Sequence, residues 1–261
     1  MKIKDVLSAL ENFAPLPLQE DYDNAGLQIG LTEAEVSGAL LCLDVTEKVV
    51  DEAMRNGCNL IVAHHPLIFR PLRHISDTTY VERAVLKAIK NDIAIVAMHT
   101  NMDNAEGGVN YKIAERLGLK GVRLMAEKSV GDTIGGSGVV GELPEPLAAS
   151  DFISLVKERF GVSVAQCNEL LNRPVKTVAL CGGAGSFLLG DAIRNGADAF
   201  ITGEMSYHAF FGSEQRIQIV VIGHYESEQF TNEIFKTIIE ERCPGVRCVL
   251  THVNTNPINY L

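Results

Sequence analysis

Short apolar runs alternate along the chain with longer stretches in which apolar positions recur every three or four residues. The short runs predict strands, and the periodic stretches predict helices. The predicted strands lie near Ala39–Asp44, Leu60–Ala63, Ile93–Met98, Thr177–Cys181, Ala199–Thr202, Ile217–Ile222 and Val246–Leu250. The predicted helices lie near Lys2–Phe13, Glu47–Asn56, Tyr80–Asn91, Val109–Leu117, Ser150–Phe160, Phe187–Asn195 and Glu226–Arg242. Because strands that are apolar throughout must be covered on both faces, this order predicts an α/β fold.

Part of this pattern occurs twice. Residues 51–65 read DEAMRNGCNLIVAHH and residues 190–204 read GDAIRNGADAFITGE, so that the two segments align with a constant offset of 139 residues. Each copy has a helix end, an Asn-Gly pair suited to a left-handed turn, and an apolar strand. The next strand repeats the match, since IVAMHTNMD in the first half corresponds to VVIGHYESE in the second. The sequence therefore predicts two similar α/β lobes that arose by internal duplication.

A glycine-rich segment separates the two copies. Residues 131–141 read GDTIGGSGVVG, and Pro144 and Pro146 follow them. This composition predicts a β-hairpin or a bulged strand that leads into a linker. We accordingly expect a first lobe at residues 1–125, a connecting β/α segment at 126–170 and a second lobe at 171–261. Two related lobes would bring their strand ends to a shared crevice, where open α/β sheets usually hold ligands.

Composition and charge narrow the class of protein. The 261 residues are 46% hydrophobic and 21% charged, which is typical of a globular protein. A net charge of −10 and the absence of Trp disfavour general binding to DNA or single-stranded nucleic acid. No apolar run approaches the length of a membrane span, and the acidic residues of the first helix argue against a signal peptide. Six Cys without a CxxC pair indicate reduced thiols, so we expect a cytoplasmic location.

The histidines are concentrated where chemistry is expected. Of seven His, four lie at the carboxyl ends of predicted strands, at His64, His65, His99 and His224. A single His at such a place is most often a hydrogen-bonded structural residue, whereas four of them with acidic neighbours point to a site. His99 precedes Asp103 by four residues and His224 precedes Glu228 by four, so that a helix at either place would put both side chains on one face.

Imidazole and carboxylate groups together bind Zn, Mn, Fe or Ni, and the lack of Cys in the cluster argues against a structural thiolate site. Adjacent side chains such as His64 and His65 point apart in an extended strand. At a turning strand end they can address two metal ions about 3.5–4 Å apart. The sequence therefore predicts a metal centre.

Other polar positions have two interpretations. The Gly182–Gly185 loop follows a predicted strand, and either cradles an anion with its amides or makes a tight turn. Glu204 and His208 lie four residues apart and either orient ligands or move protons, unless Glu204 only caps a helix. The segment Asp21–Asn24 is more typical of a solvated turn than of a substrate loop. Arg70 and Arg73 lie in a segment that we interpret as a surface loop in preference to one that steers anionic substrates.

The chain resembles the GTP cyclohydrolase 1 type 2 homologues, also called the YbgI-type or NIF-three-like proteins. The resemblance lies in five motifs in the family's order, namely DNAGLQIG (23–30), AHHPLIF (63–69), HTNMDNAEGGVN (99–110), TGEMSYHA (202–209) and GHYESE (223–228). It departs from the GDLxxH motif common in relatives by placing Glu204 at the Asp position. Some relatives insert a further domain between the halves, and this chain resembles the compact form.

The resemblance implies a dinuclear metal site held by five ligands, a toroidal homohexamer built as a trimer of dimers, and a small-molecule substrate. The ligands implied are His64, His65, Asp103, His224 and Glu228. Glu228, His99, Glu204 and His208 are then the candidates for catalytic or proton-transfer roles. Two divalent ions would activate water for a hydrolase reaction, either ring opening of GTP or hydrolysis of nucleotides and phosphoesters. The competing hypothesis is a metal-binding hexameric scaffold or regulatory protein without turnover.

Overall fold

The computed structural model describes residues 1–260, which fold as two compact units. The first unit comprises Met1–Ala105 and Thr231–Asn259, and the second comprises Glu106–Phe230 with Tyr260. These bounds differ from the lobes expected at 1–125 and 171–261, because the last helix and strand return to the first unit. A duplicated sequence pattern marks where the two copies lie, but it carries no signal for such a return.

The first unit has one sheet of five strands in the order β1-β4-β3-β2-β11. Strands β2, β3, β4 and β11 are parallel, and β1 pairs with β4 in the antiparallel direction at the edge. The strands are β1 Gly26–Ile29, β2 Ala39–Cys42, β3 Leu60–Ala63, β4 Ala94–Ala97 and β11 Cys248–Leu250. The helices are α1 Ile3–Phe13, α2 Glu47–Arg55, α3 Tyr80–Lys90, α4 Thr100–Asn104 and α9 Thr231–Arg242.

Every residue of β2, β3 and β4 is buried, as the apolar strand pattern predicts. Alternate residues such as Leu40 and Ile61 join Val50 of α2 and Val85 of α3 in one core cluster. Leu41 and Val62 are also buried but face the other way along the pleat, where α9 contacts the sheet. The sheet is therefore covered on both faces.

The second unit has one sheet of six strands in the order β5-β6-β8-β9-β10-β7. Strands β8, β9 and β10 are parallel, β5 and β6 form a long antiparallel hairpin, and β7 pairs antiparallel with β10. The strands are β5 Lys120–Val130, β6 Thr133–Leu147, β7 Gln166–Cys167, β8 Val175–Cys181, β9 Ala199–Thr202 and β10 Gln218–Val221. The helices are α5 Val109–Leu117, α6 Ala149–Phe160, α7 Leu189–Arg194 and α8 His224–Glu228.

The two sheets share a three-strand parallel core of the same register, which confirms the predicted duplication. In the first unit the paired rungs begin at Ala39, Leu60 and Ala94 and continue for four residues. In the second unit they begin at Val178, Ala199 and Gln218 and again continue for four residues. In both, a five-residue helix follows the third strand, α4 in the first unit and α8 in the second.

The glycine-rich segment is longer and more regular than the sequence predicts, since the hairpin extends from Lys120 to Leu147. Gly136 explains part of the composition, because a Cβ there would lie 2.4 Å from the carbonyl oxygen of Ala126 on the paired strand. The edge strands β1 and β7 were not predicted. They have four and two residues, which is too short for a periodic signal. Among residues 1–260, the helices lack the combined length and apolarity that a membrane crossing requires.

Candidate metal centre

Three histidine rings meet at the carboxyl end of the first sheet. His64 and His65 follow β3, and His99 follows the neighbouring parallel strand β4. The ring centroids are 4.8 Å apart for His64 and His65, 5.3 Å for His64 and His99, and 5.4 Å for His65 and His99. One nitrogen from each ring lies within 4.8 Å of the other two, so the three can address a common metal ion. The predicted clustering of these three histidines is therefore present in the structure.

The Nδ1 atom of each ring is held by an oxygen that can only accept. His64 donates to the carbonyl oxygen of Met98 at 2.8 Å, from a ring that is fully buried. His65 donates to Asp44 Oδ1 at 2.7 Å, and His99 donates to Asp23 Oδ1 at 2.7 Å. Because a carbonyl and an ionised carboxylate carry no proton, each Nδ1 carries a proton, and in the neutral ring the lone pair is then on Nε2. This is the tautomer that metal-binding histidines adopt, with an acceptor fixing the ring from the far side.

Asp103 lies on the helix α4 that starts directly after His99. The backbone N–H of Asp103 donates to the carbonyl oxygen of His99 at 3.1 Å, so the two residues are joined by an i, i+4 hydrogen bond at the start of the helix. The Oδ1 atom of Asp103 lies 3.6 Å from His64 Nε2. The first unit thus presents a carboxylate oxygen and an imidazole lone pair to the same small space, as hard and borderline divalent ions require.

Two carboxylates that orient the histidines were missed or misjudged from the sequence. Burial raises the pKa of Asp44, but hydrogen bonds from His65 and Thr255 outweigh it and hold the pKa below its usual value. The interpretation of Asp21–Asn24 as a solvated turn is wrong for Asp23, whose side chain is fully buried. Burial raises the pKa of Asp23, but hydrogen bonds from His99, Thr100 and the Asn24 backbone outweigh this effect and lower the pKa to about 2. Both carboxylates are ionised at neutral pH.

A related arrangement occurs in the second unit, on helix α8 and the strand end before it. His224 Nδ1 lies 2.9 Å from Glu204 Oε1, and His224 Nε2 lies 3.2 Å from Glu228 Oε2. Glu228 is only 4% exposed, whereas Glu204 is 56% exposed. The four-residue spacing again places both α8 side chains on one helix face. Glu204 contacts His224 as Asp44 contacts His65, which favours its interpretation as a group that orients a ligand.

The Gly182–Gly185 loop makes a tight turn whose amides bond to the protein's own side chains. Gly182 donates to Asn110 Oδ1, Gly183 to Ser227 Oγ and Gly185 to Thr202 Oγ1, each at 3.0 Å. These amides are therefore committed within the second unit, which favours a turn over an anion cradle. The turn brings the backbone of Gly183 against Glu228 and His224, so its role is to shape the surroundings of those side chains.

His208 is an exposed residue in a short 3-10 helix, Tyr207–Phe210, where its ring contacts those of Tyr207 and Phe211. Arg70 and Arg73 are both exposed, as expected for a surface loop.

Comparisons with known proteins agree with the resemblance seen in the motifs. The sequence profile of the Duf34/NIF3 (NGG1p interacting factor 3) family matches residues 1–257. A Clostridium perfringens protein named GTP cyclohydrolase 1 type 2 homolog is 39% identical over 230 residues, which is 87% of each chain. A Staphylococcus aureus protein of the same name aligns over 368 residues at 25% identity, so it contains residues that this chain lacks.

Solved structures show the same fold. A Bacillus cereus protein related to NIF3 superposes with a TM-score of 0.91 at 26% identity, covering 100% of this chain and 99% of the other. A Staphylococcus aureus protein superposes with a TM-score of 0.92 at 27% identity, with the same coverage. The expected α/β fold with two similar halves is thereby confirmed.

Proposed function

The chain belongs to the Duf34/NIF3 family, and we propose that it is a metal-dependent hydrolase with a dinuclear centre. The observation that carries this proposal is the set of three histidines whose Nδ1 protons are fixed by Met98, Asp44 and Asp23. A structural histidine in a core needs one hydrogen bond, whereas three rings that are each anchored at Nδ1 and present nitrogens within 4.8 Å of one another match the requirements of a cation site.

The proposed ligands of two divalent ions, Zn, Mn, Fe or Ni, are the five residues that the family resemblance implies, His64, His65, Asp103, His224 and Glu228. The contact of Asp103 with His64 supports a ligand group in the first unit. The contact of Glu228 with His224 supports one in the second. That both groups serve one centre is part of the proposal and rests on the resemblance. His99, whose ring adjoins those of His64 and His65, and Glu204 would orient ligands or move protons. His208 is the more peripheral candidate because it is exposed and packs on aromatic rings.

Bound divalent ions would lower the pKa of water toward neutrality and so supply a nucleophile for hydrolysis. The chain's own residues would fix the site before substrate arrives. Asp44 holds the ring of His65 in one orientation, Asp23 does the same for His99, and Glu228 provides a buried carboxylate that can accept a proton. The candidate reactions are ring opening of GTP at the purine C8, which the name of the relatives suggests, and hydrolysis of a nucleotide or other phosphoester.

The first test is the metal content of protein purified without chelator, compared with His65→Ala. We expect about two first-row metal ions per chain in the wild type and a sharp reduction in the variant. His74→Ala is the matched control, because His74 is an exposed histidine on the following loop. Wild-type protein that contains no metal and takes none up on dialysis would leave the histidines structural and would refute the proposal.

The second test is turnover. Nucleotides and phosphoesters would be screened with the metal that the first test identifies, and Glu228→Gln would be compared with the wild type. Turnover above that of the free metal, lost in the variant, is the expected result. Metal binding without any turnover would instead support the metal-binding scaffold. A homohexamer is also proposed on the family resemblance alone, and light scattering after gel filtration would measure its mass.

A further inference from the structure

Two exposed aromatic rings lie beside the histidine cluster of the first unit. The ring of Phe69 lies 6.2 Å from that of His99, edge to face, and the ring of Tyr22 lies 6.4 Å from that of Phe69. Phe69 is 42% exposed and Tyr22 is 64% exposed. Single exposed aromatic residues are ordinary on protein surfaces, but two that contact each other next to a polar, acceptor-lined site form a mixed surface typical of ligand binding.

Both rings are carried by segments that are anchored to the site and to each other. Next to Tyr22, Asp23 accepts hydrogen bonds from the His99 ring and from the backbone N–H of Thr100. Next in sequence, Asn24 donates from its side chain to the carbonyl oxygen of Ile68 at 2.6 Å. Ile68 immediately precedes Phe69, so the Asn24 hydrogen bond links the two aromatic segments directly, and Asp23 ties the Tyr22 segment to His99. Segments held in this way need little reordering when a ligand binds.

We propose that Phe69 and Tyr22 form a stacking platform for a planar heteroaromatic ring, and that the substrate of this site carries such a ring. This inference rests on the proposed function and names its substrate class. A planar ring can lie against the exposed face of one side chain and touch the edge of the other, which is the offset and edge-to-face geometry that aromatic systems prefer. The neighbouring cations Arg70 and Arg73 are exposed and can meet an anionic group attached to that ring.

The platform would distinguish substrates that carry a planar ring from substrates that do not, which the metal ligands alone cannot do. A nucleobase or a related bicyclic ring would gain stacking energy at Phe69, whereas a sugar phosphate or an alkyl phosphoester would gain none. Stacking of one base on an aromatic side chain is worth about 1–3 kcal/mol, which corresponds to about 5- to 150-fold in affinity. Nucleoside compounds should therefore bind better than their ribose phosphates.

The test is isothermal titration calorimetry with guanosine, adenosine and ribose 5-phosphate on the metal-loaded full chain. We expect Phe69→Leu to weaken binding of the nucleosides by about 5- to 150-fold and to leave ribose 5-phosphate unchanged, because leucine keeps the apolar bulk but has no ring. Phe69→Tyr should retain nucleoside binding. Phe187→Leu is the matched control, since Phe187 is a 68% exposed phenylalanine in the other unit, and it should change neither affinity.

The inference is overturned if the wild type binds neither nucleoside, or if Phe69→Leu weakens the nucleosides and ribose 5-phosphate equally. Metal content, measured on the same samples, should be the same in all four proteins. Nucleoside binding that depends on Phe69 without any turnover would uphold the platform and refute the hydrolase. Hydrolysis of phosphoesters with nucleoside binding unaffected by Phe69→Leu would do the reverse.

Discussion

Gly183 offers a direct test of whether the backbone of the second unit shapes a metal site around Glu228. Gly183 adopts φ = +56°, and a Cβ atom there would lie 2.4 Å from Glu228 Oε1 and 3.3 Å from His224 Nε2. Gly196 adopts a similar φ of +72°, but a Cβ atom there would meet nothing within 4 Å. Alanine at either position pays the same kind of backbone cost, about 1–2 kcal/mol for an L-residue in the left-handed region. Only alanine at position 183 also collides with candidate ligands.

The collision has a definite size. Non-bonded heavy atoms rest at about 3.5 Å, so the Glu228 carboxylate must move by roughly 1 Å to accommodate the new methyl group. Glu228 is 4% exposed and already lies 3.2 Å from His224 Nε2, so little room is available for that movement. A ligand displaced by 1 Å no longer fits a preorganised site. We expect Gly183→Ala to lower metal affinity by at least the 10- to 100-fold typical of disturbed ligand surroundings.

The assay has two readouts, the metal content by elemental analysis and the free energy of unfolding in urea after metal removal. Gly196→Ala should lose about 1–2 kcal/mol of stability without metal. Gly183→Ala should lose this and a further cost of about 1–3 kcal/mol from the collision with Glu228, and only Gly183→Ala should lose metal. If Gly183→Ala binds metal as tightly as the wild type, or if Gly196→Ala loses metal to the same degree, then the contact with Glu228 does not shape a metal site.

Two further predictions concern other side chains. In Asp44→Asn, the amide oxygen can still accept from His65, and the amide nitrogen can donate to the hydroxyl of Thr255, which is free to rotate. In Asp23→Asn, one side of the amide must face His99 and the other the fixed backbone N–H of Thr100. Because both of these groups donate, the NH₂ group of Asn cannot bond to either. Asp23→Asn should therefore be less stable than Asp44→Asn by about 1–3 kcal/mol in urea unfolding of the metal-free protein, and equal losses would contradict this reasoning. Burial raises the pKa of Cys248 to about 11, so its alkylation by iodoacetamide at neutral pH should be much slower in the native protein than in urea and should accelerate as pH rises. A native rate that does not depend on pH would show that access, not ionisation, limits the reaction.

The clustering of the histidines could be predicted from the sequence because it follows a local rule. Residues that come directly after buried parallel strands collect at one edge of the sheet, so His64 and His99 meet there once β3 and β4 are adjacent. The four-residue spacing then places Glu228 on the face of α8 that carries His224. His99 instead lies just before α4, and the carboxylate of Asp103 approaches His64. The clustering and the α8 spacing depend only on the positions of strands and helices, which the apolar pattern reveals.

The partners of the histidines could not be predicted in the same way. Asp23 lies 76 residues before His99 and precedes an edge strand that has no periodic signal, so the pairing appears only in three dimensions. The pairing of Asp44 with His65 was easier to predict, since Asp44 ends a predicted strand at the same sheet edge as His65. The return of α9 and β11 to the first sheet was likewise hidden, because the strand Cys248–Leu250 is short and its pairing with β2 is not encoded locally.

The two halves carry different side chains at matching strand ends, and the packing around the strand end in the second unit explains the difference. His64 corresponds to Gly203 and His65 corresponds to Glu204, at equal distances past strands of identical register. A Cβ atom at Gly203 would lie 2.7 Å from the carbonyl oxygen of Gly183 and 2.8 Å from Ser227 Oγ, so the second unit has no space for a histidine at that position. The same close approach brings Glu204 to the Gly183 turn, where its backbone N–H donates to the Gly183 carbonyl oxygen at 2.9 Å. An adjacent His-His pair is thus compatible only with the first copy, and the second copy has Gly203 and Glu204 at the matching positions.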